Sequence, residues 1–99
     1  MLSAEDVELA EALRLYLTPR YPLEDADAVT IRFGRERGGA LLAQVREIVR
    51  EAGAWPTDWE RESMSKAVKR VRREFRERWP MLDRDAIDAL VSWWVYVWK

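Results

Sequence analysis

The chain has 99 residues, of which 48% are hydrophobic and 35% are charged, and its formal net charge is −1 at pH 7. It contains no histidine and no cysteine, the side chains that most often move protons near neutral pH, act as covalent nucleophiles or bind zinc. The composition therefore argues against the commonest enzyme chemistries and against a zinc site. The length favours one domain over residues 1–99.

The location of the protein is expected to be cytoplasmic. No run of about 18 apolar residues is present, so the sequence predicts no transmembrane helix. The first residues turn acidic at Glu5 and Asp6, whereas a secretory signal begins with a basic segment and continues into an apolar one. The high usage of Ala, Arg, Glu, Val and Trp is typical of proteins from high-GC bacteria.

A first helix is predicted from Ser3 to the pair Thr18-Pro19. Ser3 is a favourable N-cap, and Asp6 occupies position N3 of a capping box. The residue before a proline is pushed out of the α region, so the helix should end at that pair. Its apolar face is formed by Leu9, Leu13, Tyr16 and Leu17.

A second, shorter helix is predicted after Pro22. Acidic residues in its first turn complement the helix dipole, namely Glu24, Asp25 and Asp27. Its inner face is expected to contain Ala26, Val29 and Phe33. The stretch Val29-Thr30-Ile31 also has β-strand character. Three glycines are expected to interrupt this helix: Gly34, Gly38 and Gly39.

Two amphipathic helices are predicted in the middle of the chain. The third helix buries Leu41, Leu42, Val45, Ile48, Val49 and Ala52, and Gly53 is well placed as its C′ glycine. Thr57 and Glu60 form a capping box for a fourth helix over about residues 58–78, which Pro80 ends. The inner side of the fourth helix contains Met64, Ala67, Val68, Val71, Phe75 and Trp79.

A fifth helix is predicted to begin after the N-cap Asp83 and to run to the end of the chain. Its polar residues share one narrow stripe: Asp85, Asp88, Ser92, Tyr96 and Lys99. The rest is apolar, including Trp93, Trp94 and Trp98, and a helix apolar around most of its circumference belongs inside the fold. A strand over Trp93–Trp98 is the alternative, but no partner strand is predicted. The sequence thus predicts an all-α, compact single-domain bundle of about five helices packed around a central, aromatic-rich C-terminal helix.

The fourth helix carries the strongest candidate for a binding site. Residues 61–78 contain 8 basic and 3 acidic side chains, whereas residues 1–60 contain 7 and 12. The cations expected on the face opposite the core are Lys66, Lys69, Arg70, Arg72, Arg73 and Arg76. Three interpretations stay open: a solvated or internally paired face, a docking site for an acidic protein, or a phosphate-binding surface for nucleic acid. The pI of about 5.5 argues against nucleic acid.

Two tryptophans fall outside the predicted core stripes. Trp55 lies in a turn beside Pro56, and Trp59 lies away from the inner side of its own helix. Either side chain covers the core or serves as an anchor for a partner, since Trp is enriched among the residues that dominate binding energy at interfaces. Tyr96 is a weaker candidate of the same kind.

Two further patterns have a functional and a structural interpretation. The segment Gly34–Gly39, with two arginines before the third helix, is either an anion cradle or a flexible connection; it matches no P-loop or dinucleotide motif. The pairs Asp25/Asp27 and Asp83/Asp85 resemble oxygen ligands for a metal, but no calcium loop follows, and both pairs lie where helix starts favour negative charge. No cofactor or metal ligand is predicted.

The sequence indicates a non-enzymatic helical domain that acts by protein–protein contact or regulation. No catalytic arrangement of acid, base and nucleophile emerges. The expected partner is an unidentified protein, for which an acidic surface is one option, bound through the basic face or through Trp55 and Trp59. Nucleic-acid binding through the basic face is the alternative. The domain is expected to be a monomer or a homodimer, the latter through exposed aromatic residues of the last helix.

Overall fold

A computed structural model describes residues 3–17 and 24–98, and within these ranges the chain forms five α-helices and no β-strand. The helices are α1 (Ala4–Tyr16), α2 (Ala26–Phe33), α3 (Arg35–Gly53), α4 (Met64–Arg78) and α5 (Arg84–Val97). The predicted small all-α bundle is confirmed. The expected roles of Thr18-Pro19, Pro22 and Lys99 lie outside the described residues.

Helices α1, α3 and α5 pack against one another in the middle of the bundle. Helix α5 packs against α1, α3 and α4, while α3 also packs against α1 and α2. The predicted stripe of α3 is buried along its whole length, as are Val71 and Phe75 of α4. None of the described helices combines the length and the hydropathy needed to cross a membrane.

Two of the predicted helix starts are confirmed in detail. The Ser3 hydroxyl accepts from the Asp6 backbone N–H at 3.1 Å, and the Asp6 carboxylate accepts from the Ser3 N–H at 3.2 Å, which completes a capping box. Asp83 accepts from the Ala86 N–H at 2.8 Å and also pairs with Arg14 of α1. The same carboxylate therefore caps α5 and ties it to the first helix.

The predicted start of the fourth helix was wrong. Helix α4 begins at Met64, with Ser63 as its N-cap, and the hydroxyl of Thr57 has no hydrogen-bond partner among the described residues. Trp55 packs edge-on against Phe75, with ring centroids 5.1 Å apart. A helix continuous from residue 58 to 75 would be about 26 Å long, so it would hold these rings far apart. The ring contact requires the segment before α4 to fold back over it.

The predicted interruption by three glycines was right at one position and wrong at two. Gly34 separates α2 from α3 and has φ of 86°, a left-handed conformation that glycine adopts without a steric penalty. Gly38 and Gly39 lie inside α3. A Cβ at Gly38 would lie 3.1 Å from the Thr30 Cα, so this glycine lets α2 approach the backbone of α3.

Two other local expectations also need correction. The strand alternative for Val29–Ile31 is wrong, because these residues are helical, with Val29 buried and Ile31 84% exposed. Gly53 is the last residue of α3 rather than a left-handed C′ residue. Its lack of a side chain makes room for Trp93, since a Cβ there would lie 3.0 Å from the indole Cη2.

Helix α5 is interior along only part of its length. Trp94 is fully buried and Trp93 is half-buried, whereas Trp98 is 41% exposed. Tyr96 and Val97 are also exposed. The expectation that all three C-terminal tryptophans lie in the core therefore holds for Trp94 and fails for Trp98, because the bundle does not cover the last turn of the helix.

Candidate functional site

The six cations of the predicted basic face of α4 divide into two groups. Arg70 forms ion pairs with Glu62 at 2.7 Å and with Glu74 at 2.6 Å, and Arg72 lies 3.3 Å from Asp88 of α5. The hydrogen bond from Arg70 lowers the pKa of the Glu62 carboxyl below its usual value. These two arginines are therefore used inside the domain, as the internally paired interpretation expected.

The second group forms a continuous surface that we call the basic stripe: Lys66, Lys69, Arg73 and Arg76. All four side chains are exposed, and none forms an ion pair with a residue in the described parts of the chain. Their spacings of three, four and three residues place them on one line along the helix, about 15 Å from end to end. The stripe lies opposite the buried residues Ala67, Val71 and Phe75.

Trp55 is held against the domain by one hydrogen bond and two ring contacts. Its indole N–H donates to the Glu74 carboxylate at 2.9 Å, and its ring contacts Phe75 and Trp79. Glu74 also accepts from Arg70, which in turn donates to the Pro56 carbonyl oxygen at 3.2 Å. These contacts hold the loop before α4 in place and favour a core-covering role for Trp55.

Trp59 is the more accessible of the two loop tryptophans. It is 38% exposed, and its ring stacks on that of Trp94 with centroids 5.8 Å apart and an interplanar angle of 21°. The Trp98 ring lies 6.3 Å away. Trp59 therefore extends an aromatic surface at the end of α5, whereas the basic stripe lies on the outer side of α4.

Residues of the glycine-rich segment and of the acidic pairs have structural roles in the fold. Arg37, inside α3, donates to Glu8 of α1 at 2.8 Å, and Gly38 is buried against α2. Asp25 and Asp83 cap α2 and α5. Among residues 3–17 and 24–98, no three acidic residues lie close enough together to hold a metal ion.

Sequence reasoning missed a cleft between the end of α1, the second half of α3 and α5. The cleft has a volume of about 390 Å³ and is lined by Tyr16, Glu24, Arg46, Val49, Arg50, Gly53 and Trp93. The spacing of Arg46 and Arg50 on one side of α3 was the available signal. The other walls come from distant parts of the chain, so no sequence pattern could have placed them there.

Tyr16 is the buried polar group of this cleft. Burial is the main cause that raises the pKa of its hydroxyl above the usual 10.0; a hydrogen bond from Arg46 opposes this effect, and the Glu24 carboxylate adds to it. A raised folded-state pKa favours the neutral phenol in the folded protein. The resulting stabilisation is complete below pH 10.0 and is lost as the pH rises through the folded-state value.

We therefore expect the stability difference between the parent and Tyr16→Phe to depend on pH. The parent should lose stability relative to the variant as the pH rises above about 10, because only the parent has a phenol to ionise. Urea unfolding of both proteins at a series of pH values measures the difference. A difference that stays constant across the titration of tyrosine contradicts the prediction.

The chain matches no protein-family model, no curated protein and no solved structure.

Proposed function

We propose that the protein is a non-enzymatic binding domain that engages an acidic surface of another protein through the basic stripe. The observation that carries the proposal is the contrast within α4. Arg70 and Arg72 are neutralised by carboxylates of the domain, whereas the four cations of the stripe are exposed and form no ion pair with a described residue.

Most other arginines in the described residues support this contrast. Ion pairs with acidic side chains are formed by Arg14, Arg32, Arg37, Arg50, Arg61, Arg70, Arg72, Arg78 and Arg84. A row of four cations that form no ion pair with a described residue therefore differs from most of this surface, although the net charge of the whole chain is only −1. Such a row attracts acidic partners and raises the rate of their association.

Nucleic acid is the alternative ligand of the same stripe, because phosphates also bind clustered lysine and arginine. The pI of about 5.5 favours the acidic protein. A nucleic acid is a long polyanion that would extend beyond the stripe, where the acidic remainder of the domain would repel it. The two ligands differ in their salt dependence. Release of condensed counterions makes nucleic-acid binding fall steeply between about 50 and 200 mM salt.

Charge reversal tests the proposal with a matched control. Lys69→Glu/Arg73→Glu changes two central residues of the stripe, and Arg35→Glu/Arg61→Glu makes the same change in net charge at exposed positions elsewhere. From a nuclease-treated lysate of the source organism, the parent and the control should capture the same acidic protein. The stripe variant should bind the purified partner roughly fivefold more weakly, because two exposed ion pairs contribute about 1 kcal/mol together.

Equal recovery by the stripe variant and its control would exclude the basic stripe. A labelled DNA duplex provides the second arm of the experiment. Binding of the duplex that is lost in the stripe variant and declines steeply with salt would establish the alternative instead.

Self-association is a second candidate, and the exposed end of α5 favours it. Trp59, Val97 and Trp98 present apolar surface outside the core, and a symmetric dimer would cover it. Sedimentation at several concentrations distinguishes monomer from dimer. We include a cytoplasmic location in the proposal, with which a cysteine-free composition agrees.

A further inference from the structure

The cleft beside Tyr16 combines an aromatic wall with a cation that forms no ion pair with a described residue. Its aromatic wall is Trp93, which is half-buried and lies against Gly53 at the end of α3. Because Gly53 has no side chain, the indole lies close to the helix backbone, and Val49 continues the apolar surface. This wall suits a flat apolar group.

The polar side of the cleft contains two arginines one helical turn apart. Arg50 is paired with Glu47 at 2.7 Å, whereas Arg46 forms no ion pair with a described residue. Arg46 is exposed, and its guanidinium group lies near enough to the Tyr16 hydroxyl to lower the pKa of that hydroxyl. A guanidinium group has five N–H donors in a planar fork, so the contact with one hydroxyl leaves donors for a bidentate anion.

The opposite edge of the cleft is held in place by backbone contacts. Leu17 and Glu24 form an isolated antiparallel bridge, and the Asp25 N–H donates to the Tyr16 carbonyl oxygen at 2.8 Å. The Glu24 carboxylate also lies near the Tyr16 hydroxyl, because it raises the pKa of that hydroxyl. Its negative charge disfavours an anion at that edge and directs one toward Arg46 and Arg50.

We propose that this cleft binds a small aromatic anion, in which a planar ring lies against Trp93 and a carboxylate or phosphate group pairs with Arg46. The volume of about 390 Å³ lies within the usual range for small-molecule sites. The raised pKa of Tyr16 agrees with a partly desolvated position. The cleft shares no residue with the basic stripe, so the inference stands apart from the proposed protein partner.

The test uses the full chain and probes that separate the ring from the charge. 1-Naphthoate and 1-naphthyl phosphate carry both features, 1-naphthalenemethanol carries the ring alone, and acetate and inorganic phosphate carry the charge alone. In ¹H–¹⁵N NMR titrations, the first two should shift the Trp93 indole signal saturably. We expect Kd values on the order of 0.1–1 mM, as for small ligands of this size. The tighter of the two probes assigns the anion as carboxylate or phosphate.

Two exposed arginines of α3 give a matched pair of variants. Arg46→Gln should weaken naphthoate binding at least fivefold, and Arg35→Gln, at the other end of the helix, should leave it unchanged. The stripe variant Lys69→Glu/Arg73→Glu should also bind naphthoate like the parent. Failure of one proposal is therefore distinguishable from failure of the other.

Three results would overturn the inference. They are the absence of saturable shifts up to about 10 mM of either anionic probe, equal affinity of Arg46→Gln and the parent, and equal binding of the uncharged 1-naphthalenemethanol. Shifts that map to the basic stripe and disappear in its double variant would assign the probes to that surface instead.

Discussion

Trp94→Ala is expected to leave the protein largely unfolded. Trp94 is 0% exposed, is the largest of the fully buried side chains, and lies under the ring of Trp59. Truncating a buried tryptophan to alanine typically costs about 3–5 kcal/mol. The whole free energy of unfolding of a domain is commonly only about 5–15 kcal/mol. Thermal and urea unfolding, followed by circular dichroism, measure the decrease in the free energy of unfolding.

Two further variants show whether the cavity is the cause. The Trp94 indole N–H has no hydrogen-bond partner in residues 3–17 and 24–98, so Trp94→Phe keeps most of the apolar ring and removes an unsatisfied donor. Trp94→Phe should lower the free energy of unfolding much less than Trp94→Ala does. Trp98→Ala, at a position 41% exposed, should cost about 1 kcal/mol. A cooperative melt of Trp94→Ala within a few degrees of the parent would refute the prediction.

Opposite effects are expected from the same substitution at two adjacent glycines of α3. A Cβ at Gly38 would lie 3.1 Å from the Thr30 Cα and 3.3 Å from the Val29 carbonyl oxygen, both backbone atoms that cannot rotate away. Gly38→Ala should therefore push α2 from α3 and cost about 1–3 kcal/mol. Nothing lies within 4 Å of a Cβ at Gly39. Gly39→Ala should stabilise the helix by about 0.5–1 kcal/mol.

Urea denaturation of the parent and the two variants decides this comparison. Because both substitutions add one methyl group to the same helix, the difference between them isolates the contact with α2. If Gly38→Ala were as stable as Gly39→Ala, the close approach of the two helices would not be a feature of the folded protein.

Local patterns predicted the helices well where the signal was contained within a few residues. The caps Ser3 and Asp83 and the buried stripe of α3 depend on neighbours within one or two helical turns. The start of α4 was mispredicted because Thr57 and Glu60 form a plausible local cap. The edge contact between Trp55 and Phe75, twenty residues apart, outweighs that local preference.

The sequence predicted a basic face on the fourth helix, but it did not predict which cations of that face are paired inside the domain. The sequence pattern places all six cations of the predicted basic face on the outward side of the helix, and helical periodicity alone does not separate them. The separation comes from Glu62 and Glu74 beside Arg70, and from Asp88 beside Arg72. The cleft at Tyr16 was not foreseen, since its walls come from three helices and from Glu24.

The amino-acid sequence by itself determined that the chain is helical, which residues cap its helices and which stripes are apolar, because hydrogen bonds and side-chain spacing within a helix are local. Only the tertiary structure decided that the core includes Trp94 but leaves Trp98 exposed, and that the bundle accommodates Gly38 inside a helix. It also decided which arginines are paired. These outcomes depend on partners distant in the chain, whose positions follow from packing the whole bundle rather than from any one segment.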